Sequence, residues 1–241
     1  MEAKLQQEMT VLPSVCDLEA KLSVADVFGL FMDIAAAHAD ALGVGAEAMI
    51  SRGLFWLTVK TKVRLFRRPR LMERVTVHTR PLAPEKVRSI REYRLTAGEE
   101  LLAEGKTEWA VIEIQSGRIH PMGDVFSPEL ELGREPEMTA PFQRIPPDFS
   151  GDELLGTYRV RGTDIDLGGH MNNVAYLRAI LGFLTGQQLK NLPQREVEIA
   201  FRAPCFEGEN LEIRRRVTPE GWDFAALKPD GTPAVLVRCG A

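Results

Sequence analysis

The chain has 241 residues, 44% of them hydrophobic and 27% charged, a balance that supports one large or two small buried cores and excludes disorder, collagen and coiled coil. Apolar runs are short, and the opening Met1-Glu2-Ala3-Lys4-Leu5 mixes charges where a secretion signal needs an apolar stretch, so no membrane segment and a cytoplasmic location are expected. Thirty basic against 34 acidic residues give a formal charge of −4, which argues against nucleic acid as the main partner.

The first predicted element is a helix capped by Ser23, with Val24, Val27, Phe28, Phe31, Ile34 and Ala35 at helical spacing and an end near Gly43 and Gly45. Its apolar stripe is wide, so it is expected to be buried on most sides. A strand follows over 54–66, read as half-buried from the alternation of Leu57, Val59, Thr61, Val63 and Leu65. Further strands are expected over 74–79, 90–95 and 101–114, the last two joined by a turn over 96–100. Prolines 121, 128, 136, 141, 146 and 147 then interrupt any regular element, which marks 126–153 as a linker.

Beyond it the same order resumes, with a strand over 155–160, a helix over 171–184 and strands over 197–201, 211–217, 222–227 and 235–238. A helix followed by antiparallel strands, twice in one chain, predicts an α+β protein of two tandem copies, over 1–125 and 154–241. The copies align with Asp17 on Asp164, Ser23 on His170 and Pro69 on Pro204.

The densest polar constellation is Thr163-Asp164-Ile165-Asp166-Leu167-Gly168-Gly169-His170-Met171-Asn172-Asn173-Val174-Ala175-Tyr176. Asp, Gly and Asn favour a loop here, with the second helix starting near His170. Asp166 and His170 then approach across a tight turn, and an imidazole steered by a carboxylate can take a proton from water near neutral pH. The unpaired N–H groups of a helix start, around Met171 to Asn173, supply donors for a developing oxyanion. Base, orienting group and oxyanion donors in one segment point to acyl transfer, although a well-capped loop has the same composition. Cys16, Cys205 and Cys239 lack metal-ligand spacing and histidines 38, 78, 120 and 170 are scattered, so no cofactor or metal is expected, and a reducing compartment is.

The run D-I-D-L-G-G-H-M-N-N-V-A-Y-L at 164–177 closely resembles the signature of acyl-[acyl-carrier-protein] thioesterases, D-x-D-x-N-x-H-x-N-N-x-x-Y. The first half is similar to the family's first domain in its buried helix, Trp56-Leu57-Thr58, the Arg68-Pro69 break and Glu108-Trp109-Ala110-Val111-Ile112. The resemblance implies a double hot-dog fold, each unit wrapping a curved antiparallel sheet around a long helix. It also implies hydrolysis of fatty acyl thioesters to free fatty acid in fatty acid biosynthesis, with the chain held by the first unit and the chemistry by the second. The family's aspartate and histidine fall on Asp166 and His170. Its asparagine falls on Gly168, and its glutamate on Pro204, beside Cys205. His170 with Asp166, Glu207 or Glu209 are candidates to replace the missing base, and Cys205 is a candidate nucleophile. Asn172, Asn173 and Tyr176 are candidates to bind substrate or brace the loop.

Phe28, Phe31, Phe55, Trp56, Leu57 and Val59 form an apolar cluster that the resemblance makes part of an acyl pocket. Arg64, Arg67, Arg68, Arg70 and Arg74, with Arg88, Arg91, Arg94 and Arg214 to Arg216, are either a solvated face or the docking surface for acidic acyl carrier protein; acyl-CoA is the other thioester partner. Two readings compete with the hydrolase: an acyl-binding protein without activity, and a hot-dog hydratase. Both monomer and homodimer remain open.

Overall fold

Ser23 opens the first helix, α1 (Val24–Ala41), by accepting the N–H of Asp26 on its hydroxyl oxygen at 3.1 Å. Val27, Phe28, Phe31, Ile34, Ala35 and His38 are buried along its length, which fixes the face that meets the sheet. The computed structural model describes residues 3–240; Met1, Glu2 and Ala241, at the ends of the expected copies, lie outside the described residues. The chain divides into two units between Pro141 and Phe142.

In the first unit the strands are β1 (Leu5–Thr10), β2 (Leu54–Leu65), β3 (Arg74–Pro81), β4 (Ser89–Ala97) and β5 (Glu100–Glu113), with a short β6 (Ile119–His120). They lie in the order β1-β3-β4-β5-β2, every neighbour antiparallel, and β6 pairs with β5. Gly98 turns the β4–β5 hairpin at φ +59°, a conformation that favours glycine. A short helix, α2 (Ala46–Ser51), follows α1 and contributes Met49 to a cluster with Leu54, Val111, Met122, Val125 and Phe126.

The second unit has β7 (Glu153–Arg159), α3 (Asn173–Leu181), α4 (Gly186–Asn191), β8 (Glu196–Phe201), β9 (Asn210–Thr218), β10 (Gly221–Leu227) and β11 (Pro233–Gly240). Its antiparallel order is β7-β9-β10-β11-β8. Strand for strand this is the order of the first unit, so the duplication read from the sequence extends to topology. The second helix is shorter than the expected 171–184: it starts at Asn173 and ends at Leu181 with Gly182 as its cap. Thr185 then caps α4 separately.

The strand β2 carries a bulge between Thr58 and Lys60. Because a bulge changes the parity of side-chain direction, the helix-facing residues are Trp56 and Thr58 before it and Thr61, Val63 and Leu65 after it, opposite Val111, Trp109, Thr107, Gly105 and Ala103. Leu57 thus lies on the other face, against the unbroken alternation expected. The cluster proposed from the sequence divides accordingly, with Phe55 and Leu57 on the opposite side of the sheet from Trp56. The proline-rich stretch also does more than connect: Phe126 and Met138 are buried, and Ile145 and Phe149 join Ala225, Leu227 and Leu236 in the second unit's core.

Helix and sheet meet in the first unit at Phe31, which stacks on Tyr93 with ring centroids 4.9 Å apart. Gly105 leaves the space: a Cβ there would sit 2.8 Å from Phe31 Cε2 and 3.2 Å from the Lys62 carbonyl oxygen. Gly105→Ala is therefore expected to destabilise the protein by about 1–3 kcal/mol, read as a lowered urea midpoint. An unchanged midpoint would show that the helix does not sit this tightly on the sheet.

Candidate active site

The segment before α3 begins with a single helical turn over 162–164 whose last residue, Asp164, is held from both sides. Its carboxylate accepts from Tyr158 Oη and from the Arg161 N–H, each at 2.8 Å. Burial, reinforced by this carboxylate, pushes the Tyr158 phenol up to about 12, so it stays a hydrogen-bond donor at any physiological pH.

Asp166 starts a turn that closes on His170. The Asp166 N–H donates to the His170 carbonyl at 3.1 Å, and the Gly169 N–H donates back to the Asp166 carbonyl at 3.0 Å. Gly169 sits at φ +74°, where a side chain would be strained. The Asp166 carboxylate accepts the Gly168 N–H at 2.8 Å and reaches Asn172 Nδ2 at 3.5 Å. Its oxygens serve the turn. The expectation that Asp166 grips the imidazole is thus corrected: it places His170 through the backbone, as aspartates do in turns. The half-buried His170 ring has Nδ1 3.4 Å from the Met171 carbonyl. The tautomer that donates there leaves Nε2 with its lone pair.

Asn172 is the cap of α3, its Oδ1 accepting the Val174 N–H at 2.8 Å. The N–H of Asn172 donates to the Asp164 carbonyl at 2.7 Å and that of Met171 to the Cys205 carbonyl at 2.8 Å. These two amides, expected as oxyanion donors, are occupied by the scaffold. Asn173 is the first residue of the helix itself. Tyr176 is buried and accepts the Cys205 N–H on its hydroxyl at 3.0 Å; burial first, and the neighbouring thiol second, push its phenol well above the usual range.

Cys205 is fully buried, and burial pushes its thiol up, the opposite of what a thiolate nucleophile needs. Its backbone is what matters, latching Met171 on one side and Tyr176 on the other. Glu209 is engaged by the Phe206 N–H at 3.2 Å and by Lys228 Nζ at 3.3 Å. Lys228 also donates to the Pro204 carbonyl at 3.0 Å. Glu207 lies on the same turn as Glu209, close to Gly162. Where the family resemblance expects asparagine and glutamate, Gly168 and Pro204 offer only backbone. Among the described residues, no group of His, Cys, Asp and Glu is arranged to hold a metal ion.

The first unit closes the equivalent turn with the same backbone hydrogen bonds. Asp17 N–H donates to the Lys21 carbonyl at 2.8 Å, Ala20 N–H to the Asp17 carbonyl at 3.0 Å, and Leu22 N–H to the Pro69 carbonyl at 2.8 Å. The Asp17 carboxylate accepts the Glu19 N–H at 2.9 Å, and the isolated pairs Cys16 with Leu22 and Ile165 with Met171 match. The structural alignment is therefore Asp17 on Asp166, Lys21 on His170, Ser23 on Asn172 and Pro69 on Cys205, two positions away from the sequence alignment at the loop and one at the strand break. In the first copy Arg68 pairs with Asp17 and Glu19, and Lys21 stands where the second copy has an imidazole.

Family models match both units: that of the acyl-ACP thioesterase N-terminal domain covers residues 2–129, and that of the C-terminal domain covers 151–227. The chain belongs to the acyl-ACP thioesterase family. It is 20% identical to oleoyl-acyl carrier protein thioesterase 2, chloroplastic, of Arabidopsis thaliana, across 79% of this chain and 56% of the relative. It is 22% identical to palmitoyl-acyl carrier protein thioesterase, chloroplastic, of Cuphea hookeriana, across 74% and 45%. The chain thus spans about half the length of the curated relatives it matches. Among solved structures, an acyl-ACP thioesterase of Bacteroides thetaiotaomicron superposes with TM-score 0.87 at 17% identity, covering 99% of this chain and 97% of that one. The 12:0-ACP thioesterase of Umbellularia californica gives 0.83 at 15%, covering 99% and 96%. At these identities the superpositions establish the double hot-dog fold.

The latch has a direct test. Tyr176→Phe keeps the ring and leaves the buried Cys205 N–H without its acceptor, so a loss of about 1–3 kcal/mol is expected in urea unfolding. Stability equal to the parent would mean that Tyr176 does not hold the strand break.

Proposed function

We propose that this chain hydrolyses the thioester between a fatty acyl group and acyl carrier protein, releasing free fatty acid, with His170 as the base. The observation that carries the reading is the duplicated turn. Both copies are closed by the same backbone hydrogen bonds, so the fold does not depend on the side chain at the His170 position, and the first copy manages with a lysine. The second copy puts an imidazole there, on the unit matched by the family's C-terminal model, clamped by Asp166, Cys205 and Tyr176. Such preorganisation is what general-base catalysis requires.

In the step proposed, His170 Nε2 takes a proton from water as the water oxygen bonds to the thioester carbonyl carbon. Collapse of the adduct breaks the carbon–sulfur bond, and the proton passes to the departing thiolate. Asp166 is a positioning residue, holding the turn; Asn172 holds the helix start. The Met171 and Asn172 amides donate to carbonyls of the scaffold and are not the oxyanion donors of this step. No helix among the described residues is long and apolar enough to cross a membrane, and Cys16, Cys205 and Cys239 are free thiols, which fits the reducing cytoplasm.

Carrier docking falls to few of the arginines. Arg67 pairs with Glu73 and Glu100, Arg68 with Asp17 and Glu19, and Arg88 with Glu108. Arg70 and Arg74 are exposed, and these are the cations of the run proposed to meet an acidic carrier.

His170→Ala is expected to lower hydrolysis of a long-chain acyl-carrier thioester by at least about two orders of magnitude with the unfolding midpoint unchanged. Near-parental turnover would remove His170 from the mechanism. Co-purified lipid with no hydrolysis of any acyl thioester by the parent would instead favour an acyl-binding protein. Gly168→Asn combined with Pro204→Glu supplies the two groups the family pattern expects and should raise kcat; a fall would show that this chain uses its turn differently.

A further inference from the structure

The helix-facing side of the first unit's sheet is not uniformly apolar. Across adjacent strands the register places Thr79 opposite Tyr93, Arg91 opposite Thr107, and Thr107 opposite Thr61. The Thr61 and Thr107 hydroxyls are 2.9 Å apart. Arg91 is 6% exposed, and its Nη1 donates to His38 Nδ1 at 3.0 Å and to Thr79 Oγ1 at 3.3 Å. Among the described residues no carboxylate pairs with it: the flanking Glu92 and Glu108 point to the opposite face by strand alternation, and they bind Arg80 and Arg88 there.

A guanidinium carries five N–H donors and no acceptor, and it keeps its charge in proteins. Burial of such a charge without a counter-ion is costly. His38 and Thr79 accept from it but supply no negative charge. His38 is neutral, held down to about 4 by burial and by Arg91 itself; with Nδ1 accepting, its remaining ring proton is one more donor. Tyr93 Oη and Trp109 Nε1 are buried atoms with no hydrogen-bond partner, and an indole nitrogen only donates. Donors gather here and the acceptors beside them, the Thr79, Thr61 and Thr107 hydroxyls and the Tyr93 phenol, are all uncharged, next to the apolar surface of Phe31, Val77 and Leu95.

We infer that this row is a carboxylate-binding site inside the first unit, with Arg91 as the counter-charge and Tyr93 Oη and Trp109 Nε1 as neutral donors, taking a carboxylate carried on an apolar chain. Two molecules present that chemistry: a free fatty acid, and an acyl thioester with a second carboxylate at the far end of its chain. The site goes beyond the hydrolase reading and is testable apart from it, because binding needs no turnover.

The experiment is calorimetric titration of the His170→Ala protein with decanoate, with 1-decanol and with the mono-S-ethyl thioester of sebacic acid. A carboxylate site requires at least one of the two acids to bind about tenfold or more tighter than the alcohol, and Arg91→Met to abolish that preference while sparing decanol. Decanoate alone preferred identifies the free acid as the occupant; the half-thioester preferred identifies the distal carboxylate. Tyr93→Phe, which keeps the stack on Phe31, should weaken the preferred acid several-fold and stands in if Arg91→Met does not fold. Equal binding of both acids and alcohol, or acid affinity untouched by these variants, overturns the site whatever His170→Ala does to hydrolysis.

Discussion

The hydrogen bond from the Met171 N–H to the Cys205 carbonyl, 2.8 Å long, joins the loop before α3 to the break that follows β8. Without it the turn over 166–170 would be anchored at one end only, and the position of the imidazole would follow the motion of a surface loop. Both partners are buried, so water offers neither an alternative bond, and separating them exposes two unsatisfied polar groups at once. Tyr176 secures the same strand break from the helix side. Loop, strand break and helix are thereby one body, and Asp166 needs only to shape the turn within it.

Much of this was legible in the residues. The Ser23 cap, the buried face of α1 and most strand positions follow from spacing and capping preference, and the 164–177 run marks the candidate site. What escaped was of one physical kind. Backbone-to-backbone bonds leave no mark on residue type, so the occupation of the Met171 and Asn172 amides could not be read. Asn172 and Asn173 are both good caps, and only geometry decides between them. The bulge in β2 is likewise silent: Leu57 and Val59 fit a period of two until one extra residue reverses the parity. The edge strand β1 was missed because Gln6, Gln7 and Glu8 are exposed polar residues and its alternation is weak.

Charge tells a similar story. The arginine-rich composition looks like a docking face, yet most of these side chains are held by carboxylates within their own unit, as Arg238 is by Asp223 at 2.6 and 2.7 Å and Arg216 is by Asp152. Such pairs fix side chains more than they attract partners. Arg91 departs from this pattern, since it lies in the interior with neutral company. A chain that neutralises its surface cations so consistently makes a bare internal one conspicuous.

Ala20 and Gly169 occupy equivalent corners of the two turns, at φ +55° and φ +74°. The first copy therefore tolerates a methyl group in a conformation that costs an ordinary residue on the order of 1 kcal/mol, which means its surrounding bonds override local preference. A corner that robust behaves as an interchangeable mount: the residue it displays one step further on can differ between copies, lysine in one and histidine in the other, with the frame indifferent to the exchange. Specialisation of one half of a duplicated protein then requires little more than a change of what is mounted.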